Sequence, residues 1–427
     1  MVHRLNRRKF LINNAIGITS ALLLKACQNQ KNLTHKKNTA DFPQKNEPEI
    51  IKVGILHSLT GTMAISEKNV VDAELLAIEE INKLGGVLGK IIEPIIEDGA
   101  SDWPMFAEKA TKLIKEDRVV TVFGCWTSAS RKAVLPVFES QNHLLWYPLQ
   151  YEGQECSKNV FYTGATPNQQ IEPAVKWLYE NKGQKFFLIG SDYVFPRTAN
   201  AIIRAKITNL GGEILGENYI PLGRKEFKEI IAEIIAKLPN GGVIFNTLNG
   251  DSNIAFFREL SAAGLRPNKY PVMSVSIGEA EVKEIGIEYL IGHYAAWNYF
   301  MTVDTPENQK FIQKFQDKYG NNRVINDPME AAYIMVYLWK QAVEKAGTAN
   351  DLEKVSQAAL GQTFNAPEGT VKMENNHHIS KYFRIGEVRN DGLFEIIFST
   401  PETVKPKPWN QLLPETNGRI CNHSARE

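Results

Sequence analysis

The chain has 427 residues, 43% of them hydrophobic, enough for two or three domains that each bury a core without covalent staples. Lys and Arg number 49 against 48 Asp and Glu, and this balance gives no whole-protein attraction for nucleic acid or an anionic membrane surface. Four cysteines are too few for a disulfide scaffold.

Residues 1–27 read as an export signal with a lipobox. Arg7 and Arg8 precede the apolar start Phe10-Leu11-Ile12, and a mostly apolar stretch runs to Leu24 before Leu24-Lys25-Ala26-Cys27. A basic region, a short apolar run and a small residue before the cut make a cleaved signal. Asn13 and Asn14 interrupt the run well short of the roughly twenty apolar residues that a bilayer span needs. Cys27 is the expected site of diacylation and would hold the mature chain to a membrane. Lys25 is an unusual lipobox residue, and a cleaved soluble chain is the alternative. The Arg pair resembles a twin-arginine signal, with Asn6 where Ser or Thr is usual. Residues 28–49 are polar and rich in Lys and Asn, too poor in large apolar groups to offset their ordering entropy, and read as a disordered tether.

From Ile51 the chain alternates apolar runs with amphipathic stretches. IKVGILH (51–57) is an expected strand, followed by a helix that Ser66 could cap. Strands then recur at IIEPIIE (91–97), VVTVFG (119–124), LLWYP (144–148), VFYTG (160–164), FFLIG (186–190), GEILG (212–216), GVIFN (242–246), YPVMSV (270–275) and IGHYAAW (291–297). Helical patterns separate most of them, including one from Ser128 and one through Trp177. That alternation predicts an α/β fold with parallel sheets covered on both faces. Ten to eleven strands exceed one comfortable open sheet, so two doubly wound parallel-sheet lobes joined by a multi-crossover hinge are expected. Lobe 1 is assigned 50–165 plus about 298–350, including the long helix from Asp327-Pro328. Lobe 2 is assigned 166–297 plus about 351–400. Residues 401–427 read as an extended C-terminal tail, and Gln169-Gln170-Glu172 as a helix start near the hinge.

The sequence holds no P-loop, GxGxxG after a strand, GxSxG elbow or HExxH, so no enzyme and no cofactor are expected. His377-His378 would point to opposite faces of a strand and reads as a solvated loop, so no metal site is expected. With Cys27 lipidated, Cys125, Cys156 and Cys421 are expected to be buried free thiols, with a Cys125–Cys156 bridge left open.

In open α/β sheets ligands bind beyond the carboxyl ends of the strands. Those ends supply His57 to Gly61, Cys125-Trp126-Thr127-Ser128, Leu149 to Gly153, Ser191-Asp192-Tyr193 and Thr247 to Asp251. Aromatic planes, hydroxyls and amides with few cations suit a small neutral ligand. Trp126 could be a ligand wall or lobe packing, Ser128 a helix cap as well as a contact, and Tyr147 and Tyr193 contacts or core residues. Asp251 reads as a cap or a ligand partner.

Several blocks resemble the urea and short-chain amide group of ABC transporter substrate-binding proteins, within the type I periplasmic binding proteins that include branched-chain amino acid binders. They are GCWTSASRKAVLPVFE (124–139), LLWYPLQYEGQECSKNVFYTGATPNQQIEPAVKWL (144–178), GSDYVFPRTAN (190–200) and FNTLNGDSNIAFF (245–257). They are more similar to the binding protein of the urea transporter than to the cytoplasmic amide sensor. By that likeness Trp126, Ser128, Tyr147 and Tyr193 match ligand-contacting positions. Thr127, Leu149 and Gln150 are departures that bear on selectivity. The resemblance implies an extracytoplasmic protein that captures urea in an inter-lobe cleft and delivers it to an ABC permease. Alternatives are short aliphatic amides, branched-chain amino acids, or a receptor module of the same fold.

Overall fold

The computed structural model describes residues 49–424, and the export signal with Cys27 and most of the tether lie outside them. In lobe 1, strands β1 (Ile50–His57), β2 (Ile91–Asp98), β3 (Val122–Gly124), β4 (Leu145–Tyr147) and β5 (Val160–Tyr162) form a parallel sheet in the order β2-β1-β3-β4-β5. In lobe 2, β6 (Lys185–Ser191), β7 (Glu213–Ile220), β8 (Val243–Thr247), β9 (Val272–Ser274) and β10 (Tyr294–Trp297) repeat that order as β7-β6-β8-β9-β10. β3, β4, β5, β8, β9 and β10 are buried at every position, as strands covered on both faces must be, hence their unbroken apolar runs.

Helices α1 (Ala64–Lys83), α2 (Trp103–Lys115) and α3 (Ser128–Ser140) belong to the first lobe. In the second are α4 (Ile171–Asn181), α5 (Val194–Leu210), α6 (Lys228–Lys237), α7 (Ser252–Ala262) and α8 (Glu279–Ile285). The chain then supplies α9 (Pro306–Tyr319), α10 (Asp327–Ala346) and α11 (Leu352–Ala359). Local chemistry sets their ends. Asp102 caps α2 by accepting from the Met105 N–H, Asn326 caps α10 through Met329, and left-handed Gly211 and Gly347 close α5 and α10. Ser66 is not a cap. It lies inside the first turn of α1, and its hydroxyl donates to Glu281 Oε1 of α8 at 2.7 Å.

α10 buries Ile334, Met335, Leu338 and Trp339 in the same cluster as the apolar residues of β1 to β5. That cluster also holds Val355 of α11 and Val371, Met373 and Ile379 from a three-stranded antiparallel sheet, β11 (Thr363–Ala366), β12 (Gly369–Met373) and β13 (Ile379–Ser380). Residues 352–380 therefore pack on lobe 1, correcting their assignment to lobe 2. From the later chain, β14 (Arg384–Val388) and β15 (Phe394–Ser399) extend the second sheet, antiparallel beyond β10. The chain crosses between lobes near 163–170, 298–302 and 380–384. Amide side chains stitch these crossings: Gln169 Nε2 donates to the carbonyls of Ile379 and Val404, Gln170 Nε2 to those of Ala296 and Val275, and Asn298 Nδ2 to those of Gln169 and Tyr382.

Beyond Ser399 the described chain has no helix or ladder strand, yet it is held closely. Leu412 and Leu413 pack on the second lobe, and Cys421 is disulfide-bonded to Cys156 on the first. The bridge thus joins Cys156 to the tail and not to Cys125, which is a buried free thiol. Neither partner was readable from sequence, because 265 residues separate them. His377 and His378 are buried, correcting the solvated loop: His377 stacks on Phe161 and His378 on Tyr162, each with ring centres 4.1 Å apart. Burial lowers the pKa of His378 to about 3, so its ring is neutral when it meets the Tyr151 hydroxyl at 2.6 Å. No helix among the described residues is long and apolar enough to cross a membrane.

Candidate functional site

In both parallel sheets the strand order reverses direction after the first strand, which puts a topological switch point between β1 and β3 and between β6 and β8. The loops leaving those strands face one another. The first turn of α1 meets lobe 2: a Cβ placed on Gly250 would lie 2.8 Å from the Thr62 carbonyl oxygen and 3.1 Å from Met63 Sδ. α3 packs on α5 across the same gap, and Trp103 faces Tyr193 with ring centres 6.4 Å apart. Gly124 makes the lobe-1 switch point tight, since its φ is +146° and a Cβ there would sit 2.1 Å from the Leu56 carbonyl oxygen.

The lobe-1 floor is charged. Arg131, fully buried, donates from Nη1 to Ser128 Oγ (2.9 Å), from Nη2 to Glu152 Oε1 (3.1 Å) and from Nε to Glu155 Oε1 (3.0 Å). Ser128 Oγ donates to Glu152 Oε2 at 2.5 Å, and the Tyr162 hydroxyl to Glu155 Oε1 at 2.6 Å. The guanidinium lies over the rings of Tyr147 and Tyr151, 4.8 and 4.6 Å from their centres. Burial alone would raise Glu155, but Arg131 and Lys132 override it and hold its pKa near 2. A second buried group sits beside β1. His57 Nε2 lies 2.9 Å from Glu74 Oε1, and Nδ1 lies 3.4 Å from Glu67 Oε2. Burial would depress His57; Glu74 and Glu67 outweigh it and raise its pKa to about 9, so the imidazole is cationic.

The sequence candidates fall into two sets. Trp126, Thr127, Ser128, Tyr147, Leu149 and Gln150 gather at the carboxyl ends of β3 and β4, all buried. Thr127, not Ser128, caps α3, because its hydroxyl accepts from the Ser130 N–H at 3.0 Å. Ser128 opens the helix and is held by Arg131. Tyr147 is a core residue whose hydroxyl donates to the Trp126 carbonyl at 2.6 Å. Leu149 is core. Gln150 reaches lobe 2, where its Nε2 donates to the Val275 carbonyl at 2.8 Å. Tyr193 and Asp251 belong to lobe 2. Burial raises the Tyr193 pKa well above its ordinary value; Tyr147 and Glu152 add to the effect and Arg131 opposes it, so its hydroxyl stays protonated facing the lobe-1 floor. Asp251 precedes α7 without capping it, and its Oδ1 has no partner among the described residues.

Arg131, Glu155 and Glu67 were missed as site groups, whereas His57 and Glu152 lay in the loops assigned to the site without a role of their own. The available signal was an Arg one turn into a helix otherwise aimed at the sheet, with two acids three residues apart in the next loop. The expectation of few cations is corrected: Arg131, engaged by two carboxylates, and a cationic His57 are both buried beside the lobe-1 switch point.

Residues 51–415 match the family described as periplasmic binding protein domain. The chain is a type I periplasmic binding protein. A Leu/Ile/Val-binding protein homolog of Brucella melitensis is 23% identical over 357 residues, 81% of this chain and 90% of that one. A leucine-, isoleucine-, valine-, threonine- and alanine-binding protein of Pseudomonas aeruginosa is 25% identical over 350 residues, 80% and 91% of the two chains. A limonene hydroxylase of Geobacillus stearothermophilus is 33% identical over 124 residues, but this chain spans only 23% of its length. Among solved structures, the R. palustris ABC-transporter solute-binding protein in complex with 4-hydroxybenzoate aligns with TM-score 0.75 at 23% identity, covering 84% of this chain and 99% of that one. The chain is thus an exported solute-binding protein of the periplasmic type and not an enzyme, and it shares its fold with the R. palustris protein.

Proposed function

We propose that this periplasmic binding protein captures a small uncharged amide, urea first, between its lobes and presents it to an ABC permease. The observation that carries this reading is the kind of polar atom left over at the facing loops. Glu67 Oε1, Gln150 Oε1 and Asp251 Oδ1 are buried acceptors without a partner among the described residues, and two nitrogens, Asn200 Nδ2 and His57 Nδ1, are left over beside the same switch points. The buried guanidinium of the lobe-1 floor, Arg131, is already engaged by Glu152 and Glu155. Unpaired buried acceptors suit a ligand rich in N–H donors, since each such atom costs about 1–3 kcal/mol when left bare. Urea carries N–H groups on both sides of one carbonyl, with flat faces for Trp126 and Tyr193. The resemblance of the 124–139 and 144–178 blocks points to the same ligand class. In this reading Trp126, Thr127, Ser128, Tyr147, Leu149, Gln150, Tyr193 and Asp251 shape the site, Tyr147 by its ring. A diacylated Cys27 tethers the protein.

A ligand of four heavy atoms gains at most about −6 kcal/mol, an affinity of tens of micromolar, so the lobes must enclose it almost completely. A second reading is an amino acid, favoured by the names of the Brucella and Pseudomonas relatives. Its ammonium would meet the same acceptors and its carboxylate the amides at the start of α3. Titration calorimetry with urea, acetamide, leucine and 4-hydroxybenzoate tests both. Heat with urea is expected; silence with urea and heat with leucine would replace the first reading by the second.

A further inference from the structure

We infer that Glu67 is a specificity-determining residue of the cleft, receiving an N–H of the bound solute on its Oε1. The inference rests on the proposed inter-lobe capture of an N–H-bearing ligand and deepens it. Glu67 is fully buried in the first turn of α1. Its other oxygen is fixed: Oε2 accepts from the Ser58 N–H at 2.6 Å and lies 3.4 Å from His57 Nδ1. Oε1 has no partner among the described residues. The residues around it in sequence touch the opposite lobe. Thr62 and Met63 lie against Gly250 and Gly223, and Ser66 donates to Glu281. Glu67 therefore stands where the lobes meet, with one oxygen held rigidly by lobe 1 and one uncommitted.

The His57–Glu74 contact explains how a bare carboxylate persists there. His57 is bracketed by Glu74 and Glu67, so the trio holds one cation between two carboxyl groups, and among the described residues no further cation contacts either. A carboxylate-bearing solute placed beside Oε1 would be repelled, whereas an amide NH2 or an ammonium would pair with it. Glu67 would thus separate N–H-bearing solutes from aromatic acids of the kind held by the R. palustris protein.

The test compares wild type with Glu67→Gln by calorimetry against urea, acetamide, leucine and benzoate, with a thermal melt to confirm folding. Whichever N–H-bearing solute wild type binds, E67Q should bind it about tenfold or more weakly, and its preference for that solute over benzoate should shrink. A smaller loss overturns the inference while leaving cleft capture intact. Wild type that binds benzoate and none of the other three overturns the capture of N–H-bearing ligands itself. Should E67Q lose its cooperative melt, Glu67→Asp, which withdraws the oxygen by one methylene, is held to the same threshold. If neither variant folds, Glu67 is a structural carboxylate and the inference falls.

Discussion

The two lobes share a strand order and differ in what they bury at the switch point. Lobe 1 places ions there: Arg131 with Glu152 and Glu155, and His57 with Glu67 and Glu74. Lobe 2 places neutral amides and hydroxyls. Asn246 Nδ2 donates to Asn253 Oδ1 (3.0 Å) and Ser274 Oγ (3.1 Å), Asn253 Nδ2 to the Leu248 carbonyl (3.1 Å), and Thr247 Oγ1 to Asn200 Oδ1 (3.0 Å). The same backbone geometry is therefore pinned in two currencies. Breaking one member of an ionic set strands a charge, whereas breaking a member of an amide set strands only a dipole. On that argument lobe 1 should be the half held more stiffly at its switch point, and lobe 2 the half that yields more readily.

The largest break is Arg131→Met. It removes the cation from two buried carboxylates and leaves only the half-exposed Lys132 near them. A loss of about 3–5 kcal/mol is expected, read by unfolding in guanidinium chloride, since urea is the proposed ligand. Adding Glu155→Gln to that variant should recover part of the loss. Equal losses in the single and double variants would show that packing over Tyr147 and Tyr151, and not charge, is what Arg131 supplies.

Titration gives the next effect. His57 has its folded pKa raised from 6.5 to about 9, so the stability it contributes is complete below about 6.5 and disappears as pH climbs through 9. Burial, with Glu281 and Asp327 adding, raises Glu279 of lobe 2 from 4.5 to about 8; its contribution is complete below 4.5 and lost through 8. Both act in one direction. Stability should fall by on the order of 2–3 kcal/mol from pH 6.5 to 9 through His57 alone. A His57→Gln variant should keep a shallower decline, carried by the buried acids whose pKa values are raised, Glu279 of lobe 2 and Glu74 of lobe 1 among them. An unchanged slope in that variant would remove the ionic trio from the comparison.

Much of this architecture is legible in the chain. Continuous runs such as VFG, LWY and VIFNT are buried on both faces, and that is why they announce parallel strands. The loops after β1, β3, β6 and β8 were locatable because the switch-point rule needs only strand positions. What stayed hidden depends on distance in sequence. β14 pairs with β10 and Cys156 with Cys421 across long separations that no local pattern encodes. The charged floor was hidden for a different reason. Arg131, Glu152 and Glu155 look like solvated surface residues one at a time, and only their convergence makes burial affordable in free-energy terms. Ser66 and Ser128 show the limit of cap rules: a hydroxyl near a helix start was taken for its cap, whereas Ser66 serves an inter-lobe bond and Thr127 has the extended backbone that capping requires.

Lobe 2 supplies the third test. Asn253→Ala removes the donor to the Leu248 carbonyl and the acceptor for Asn246 in one step. About 2 kcal/mol should be lost, less than for Arg131 although Asn253 is equally buried. A loss matching that of Arg131→Met would erase the distinction between ionic and neutral pinning.

The smallest effect separates holding the site from touching the ligand. Tyr147 spends its hydroxyl on the Trp126 carbonyl and offers its ring to Arg131. Tyr147→Phe keeps the ring and leaves the carbonyl bare, so about 1 kcal/mol of stability should go. Solute affinity should change by less than about threefold, because less than 1 kcal/mol of binding energy would be involved. A large affinity loss with unchanged stability would mean that the hydroxyl swings to the solute when the cleft fills. Lobe 1 would then be the adaptable half, and the contrast between the lobes would have to be drawn the other way round.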